Sequence, residues 1–96
     1  MRVEYHPAVE GEVTEAMQRY KAVSVRLSRE FETELRRVIA MAVANPSRFH
    51  FIESGFHRAN LNRFPYHVIY REIPDGIRVT LIRHHRRHPE FGMERG

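Results

Sequence analysis

The sequence predicts an α+β domain in which two N-terminal helices pack on one face of a twisted, mainly antiparallel sheet, in the order strand, helix, helix, strand, strand, strand. Three observations carry this prediction. Two stretches in the first half place apolar residues at helical spacing, the region after Arg58 switches to period two, and Pro74-Asp75-Gly76 supplies turn chemistry between two alternating runs. At 96 residues and 42% hydrophobic content, the chain fits a single domain, 1–96, with one core.

Val3 and Tyr5 alternate with Arg2 and Glu4, which predicts a short first strand ended by His6-Pro7. Pro7 suits the first turn of a helix. Val9, Val13, Ala16, Met17 and Tyr20 then recur on one face while Glu10, Glu12, Glu15 and Arg19 take the other, so the spacing predicts a helix over 8–21. Its acidic first half is favoured by the helix dipole. Ser24 is the expected N-cap of a longer helix, because Leu27, Phe31, Leu35, Val38, Ile39 and Ala42 form one stripe. Asn45-Pro46 ends it. Opposite the stripe lie Arg26, Arg29, Glu30, Glu32, Arg36 and Arg37, a solvated face on which Glu32 and Arg36 are spaced to support each other.

Residues 46–57 show no period and include Pro46, Ser47 and Gly55, so a connecting loop is expected, with one short extended piece near 49–52. A strand begins at Arg58, where Ala59, Leu61 and Arg63 alternate with Arg58, Asn60 and Asn62 until Pro65 interrupts. In the next strand Tyr66, Val68 and Tyr70 share one face and His67, Ile69 and Arg71 the other. After the turn, Ile77, Val79 and Leu81 alternate with Arg78, Thr80 and Ile82, which completes a hairpin. Tyr66 and Tyr70 sit where sheet-core residues sit, although aromatic rings among Arg58 and Arg71 also suit base stacking. Glu90–Gly96 is expected to be a loose tail. The sheet face away from the helices is then free to bind a partner.

The absence of cysteine excludes a disulfide framework and thiolate metal sites and fits a reducing compartment. The longest apolar run, Val38 to Ala44, is far short of the roughly 20 residues that span a bilayer, and Met1-Arg2-Val3 does not open a signal peptide. A soluble cytoplasmic protein with no membrane contact is expected. His6, His50, His57 and His67 are too scattered for a metal site, so no metal or other cofactor is expected.

Charge is uneven. Residues 1–57 carry eight cations and eight anions, so the whole net charge of +4 arises in 58–96. There eight arginines face only Glu72, Asp75, Glu90 and Glu94. Lys21 is the only lysine in the chain, and arginine pairs bidentately with phosphates and carboxylates while staying charged when partly buried. Such a surface suits a polyanion or an acidic protein partner.

The layout, the helix-ending Asn45-Pro46, the Arg58 strand leading into Phe64-Pro65-Tyr66-His67-Val68-Ile69-Tyr70-Arg71, the Pro74-Asp75-Gly76 turn and the closing Ile82-Arg83-His84-His85-Arg86-Arg87-His88-Pro89 together resemble the RelE/ParE toxin superfamily, also called plasmid stabilisation proteins. The resemblance covers nearly the whole chain. It implies the toxin of a type II toxin-antitoxin module, which inhibits growth until a cognate antitoxin wraps it in a hetero-oligomer, acidic side chains of the antitoxin meeting a basic surface.

The resemblance also implies two alternative targets. One branch of the superfamily poisons DNA gyrase, or another target, by binding and needs no acid or base of its own. The other cleaves messenger RNA on the ribosome: a base deprotonates the ribose 2′-hydroxyl, cations stabilise the charged phosphorus centre, and an acid protonates the leaving oxygen. For cleavage the candidate catalytic residues are His84, His85, Arg58 and Arg86, with Glu53 as a carboxylate that could orient a histidine. An imidazole titrates near neutrality and can play either part. His84 holds the position that recurs in the family pattern, and Arg58 lies where relatives clamp a phosphate. The period of the last strand sends Arg83 with Leu81 and His84 with Ile82, so only one of His84 and His85 is expected to face the binding surface. Cleaving relatives often use lysines in the sheet and a C-terminal tyrosine; here Phe91 can stack but cannot donate. For target or antitoxin binding the candidates are Arg58, Arg71, Arg83, Arg86, Arg87 and Phe91. A third alternative is a non-toxic RNA-binding module.

Overall fold

Helix formation follows the apolar stripes. Described over residues 1–96 in a computed structural model, the chain forms α1 (Val9–Lys21) and α2 (Val25–Ala44). Ser24 caps α2 as its pattern requires, its Oγ accepting from the Leu27 N–H at 3.0 Å, and Asn45 closes the other end. The Glu32–Arg36 pair forms at 3.1 Å on the solvated face.

Five strands make one sheet: β1 (Arg2–Tyr5), β2 (His50–Glu53), β3 (Phe56–Asn60), β4 (Tyr66–Ile73) and β5 (Gly76–His84), in the spatial order β1-β5-β4-β3-β2. β1 runs parallel to β5, and every other pairing is antiparallel. The molecule is therefore the α+β arrangement that the sequence predicts, with one more strand. Residues 46–57, expected as a loop with one short extended piece near 49–52, contain β2, which that piece overlaps, and the start of β3, the two joined by a tight turn in which Ser54 and Gly55 take φ of 49° and 83°. β2 is an edge strand with His50, Phe51 and Glu53 exposed, so it shows no burial alternation for sequence reading to detect.

Both helices cover one sheet face. The core between them joins Phe31, Leu35 and Val38 of α2 to Val68, Tyr70 and Val79 of the sheet. Tyr20, Phe31, Phe64 and Tyr66 form an aromatic cluster with centroids 4.9–6.1 Å apart. Tyr70 is fully buried and donates its hydroxyl hydrogen to Pro46 O at 2.6 Å, so it and Tyr66 belong to the sheet core.

Alternation along β5 breaks once. Ile69 pairs with Leu81 and Tyr70 with Val79, leaving Thr80 as an extra residue in a β-bulge. Ile77 and Val79 face the helices, whereas Leu81 turns to the opposite face with Phe56 and Ile69, and Ile82 returns to the main core. The expected single row of Ile77, Val79 and Leu81 is thus split by the bulge. Gly76 opens β5 where β1 lies so close that a Cβ would fall 1.7 Å from Arg2 O, which only glycine allows.

Residues 90–96, expected to be loose, are tied to the sheet. Gly92, with φ of 80°, sits against the Leu81 side chain, Met93 packs on the Phe56–Ile69–Leu81 cluster, and Arg78 Nε donates to Gly96 O at 2.7 Å. Arg83 Nη1 donates to the carbonyls of Pro89 and Phe91 at 2.6 and 3.1 Å. This segment occupies part of the sheet face that the helices leave bare. No helix is long and apolar enough to cross a membrane.

Candidate functional site

Sheet register gathers the first cationic locus. Arg58 stands opposite Ile69, Asn60 opposite His67, and His67 opposite Arg83, so all these side chains share the face away from the helices. Just beyond β5, His85 stacks on His67 with centroids 5.1 Å apart and an 11° angle between rings.

Hydrogen bonds fix the state of both imidazoles. Arg83 Nε donates to His67 Nε2 at 2.9 Å. An arginine Nε–H can only donate, so His67 must carry its own hydrogen on Nδ1. That hydrogen meets His85 Nδ1 at 2.9 Å, which Arg58 Nη2 also approaches at 3.4 Å. His85, an exposed residue, is therefore the end acceptor of the chain and keeps its hydrogen on Nε2. Burial, followed by the Arg58 and Arg83 charges, pushes the His67 pKa down to about 3, and burial with Arg58 lowers that of His85. Arg58 is itself oriented by Asn60 Oδ1, which accepts from its Nε at 2.9 Å.

A second cationic locus lies on the helix side. His84 follows Ile82 as the period requires, and its ring meets Tyr66 edge-on at 5.0 Å. Its Nδ1 accepts the Arg86 N–H at 3.0 Å, a bond that shapes the turn after β5. Burial, then Arg19 and Arg86, lower its pKa. Arg86 and Arg87 are exposed, and the Arg87 guanidinium lies 4.2 Å from the Phe91 ring centroid.

The candidates from the sequence thus separate. His85 and Arg58 meet; His84 is on the other side of the sheet. Arg71 shares the open face, lying over Phe56 at 5.6 Å. Arg83, expected at the binding surface, is 5% exposed and spends its guanidinium on His67 and the C-terminal segment, so it is a structural clasp. Glu53 lies exposed at the β2–β3 turn and makes no hydrogen bond or ion pair with a histidine. No three His, Asp or Glu side chains come together as metal ligands.

His67, Glu12 and Arg95 were not anticipated. The alternation of β4 places His67 with Ile69 and Arg71, but its link to Arg83 and His85 depends on lateral register. Glu12 Oε1 accepts the Ile82 N–H at 3.0 Å, and its other oxygen pairs with Arg95 at 2.7 Å. No protein-family model and no curated protein matches the chain.

Proposed function

We propose that this chain is the growth-inhibiting toxin of a type II toxin-antitoxin pair of the RelE/ParE kind, and that it acts by binding its target, DNA gyrase, without cutting RNA. Support for the family comes from the ordered sequence motifs together with two helices on one face of a sheet whose other face carries Arg58 and His85. One observation carries the choice of binding over cleavage: neither candidate histidine has a free lone pair. His84 Nδ1 holds the Arg86 N–H, and His85 Nδ1 holds the hydrogen of His67 beside Arg58. For His85 to accept a 2′-hydroxyl proton on Nε2, the chain would have to invert, turning a His67 Nε2–H against the Arg83 Nε–H. Neutral imidazole donors beside guanidinium groups are suited to holding an anion or carbonyl on a partner. A cognate antitoxin neutralises the toxin within a hetero-oligomer.

RNA cleavage is the second reading, favoured by the 3.4 Å approach of Arg58 to His85 on the open face. Expressing the chain alone, with gyrase-DNA cleavage complexes and message integrity followed together, separates the two. Growth arrest, trapped gyrase, intact messages and rescue by the neighbouring small gene are expected. Codon-linked cuts on ribosomes that vanish in His85→Ala would select the nuclease, and normal growth with soluble protein would remove the toxin assignment.

A further inference from the structure

Along one flank of α2 runs a cavity of about 430 Å³ that closes against Asn62 and Arg63, in the connection between β3 and β4. Neither Arg58, His84, His85, Arg86 nor Arg87 lines it, and it has no apolar side chain in its wall. Arg26, Arg29, Arg37 and Arg63 surround it, with only Glu30 and Glu34 as anions. Both carboxylates are already spent. Glu34, its side chain 9% exposed, accepts the backbone N–H groups of Asn62 and Arg63 and so fixes the connection to the helix. Glu30 accepts from Arg26 Nε at 3.1 Å with one oxygen and from Arg63 Nη1 at 3.2 Å with the other. The anions thus hold cations in place and leave the cavity positive. Arg29 has no carboxylate partner, and Arg37 reaches only Met41 Sδ at 3.5 Å and the already bonded Glu34 at 3.6 Å. The Thr33 hydroxyl and the Asn62 side-chain amide add donors that no protein group uses.

The lining selects the occupant. Without a carbon wall the cavity offers nothing to a nucleobase, an aromatic ring or an aliphatic side chain, so its ligand is made almost entirely of charge and acceptor oxygens. Guanidinium forks take phosphate oxygens in pairs. Arg29 and Arg37 start about 12 Å apart along the helix axis, which suits grips on separate phosphates better than on one. We propose that this cavity binds a short chain of linked phosphate groups, as in inorganic tripolyphosphate or the tail of a nucleoside triphosphate. Arg29 and Arg37 hold separate phosphates, the pinned Arg26 and Arg63 supply further charge, and Thr33 and Asn62 donate to the remaining oxygens.

Calorimetric titration of the full chain, made by cell-free synthesis, with inorganic tripolyphosphate tests the proposal. Saturable one-to-one binding is expected, with orthophosphate about tenfold weaker or worse. Arg29→Gln should weaken tripolyphosphate about tenfold and leave the melting temperature unchanged, because that exposed side chain supports no other group. Arg48→Gln removes the same charge from an exposed position outside the cavity and should leave binding unchanged. Titration with ATP separates the two sources of the ligand: equal affinity assigns an inorganic chain and tighter binding a nucleotide, and either result keeps the site. Absence of binding, citrate binding as tightly as tripolyphosphate, or equal losses in Arg29→Gln and Arg48→Gln would each overturn it. So would an Arg29→Gln loss seen with a single-stranded oligonucleotide and not with tripolyphosphate. The inference stands apart from the toxin assignment: phosphate-chain binding with normal growth keeps the cavity and removes the toxin.

Discussion

Glu12 and Arg95, 83 positions apart in the chain, meet at 2.7 Å over the edge of β5 that β1 leaves uncovered. β1 pairs with β5 only from Gly76 to Val79. Beyond that point Glu12 accepts from the Ile82 N–H and Arg95 donates to Thr80 O at 3.1 Å, so a side-chain ion pair substitutes for the missing neighbouring strand. Both side chains are largely buried, 17% and 13% exposed, which makes loss of one partner expensive. Glu12→Ala is expected to destabilise the fold by about 3 kcal/mol in urea unfolding, because it strands both Arg95 and the Ile82 N–H. Glu12→Gln, which still accepts from Ile82, should lose only about 1 kcal/mol. Equal losses would show that the backbone bond contributes nothing.

The depressed pKa of His67 makes stability depend on pH in a defined direction. Its ordinary value is 6.5 and its folded value is about 3, so between these limits the unfolded chain binds the proton and the native one does not. Stability contributed by the neutral ring is fully present above pH 6.5 and is lost as pH falls toward 3, by on the order of 5 kcal/mol in total. His84 and His85 shift in the same direction and steepen the trend. Unfolding free energies of the wild type and His67→Gln should converge as pH drops from 7 to 4; parallel curves would rule out His67 as the source.

Arg58 and Arg83 both approach the His67–His85 pair but should respond differently to truncation. Arg83→Met removes three hydrogen bonds from a buried guanidinium and frees the C-terminal segment, with an expected loss of about 3 kcal/mol. Arg58→Ala, at a partly exposed position, should change stability by about 0.5 kcal/mol or less while abolishing growth inhibition. Because the Arg58 charge lowers the pKa of His85 and His67, the same variant should raise the pKa of both as followed by NMR titration. Unmoved titrations would place Arg58 away from the pair in solution.

The helices, the β4–β5 hairpin and the Ser24 cap were legible because each rests on local spacing or a single capping side chain. β2 was legible only as one short extended piece near 49–52 within an expected loop, since a four-residue edge strand with three exposed positions carries no alternation. The bulge at Thr80 was not legible, because it arises from the pairing of Ile69 with Leu81 and Tyr70 with Val79. At the site, Arg58 and His85 could be named from the motif order, and the division of His84 from His85 followed from period two. The clasp role of Arg83 could not be seen, because it requires β4, β5 and the C-terminal segment to be in place together.

Parallel pairing of β1 with β5, close enough to exclude any side chain at Gly76, has a consequence for biosynthesis. The ribosome releases Arg2–Tyr5 long before their partners Gly76–Val79 exist. A nascent chain halted before β5 lacks the strand that joins β1 to β4, and with it His84 and His85. Such non-local closure slows assembly and makes it all-or-none, so neither cationic locus exists until the last strand has emerged.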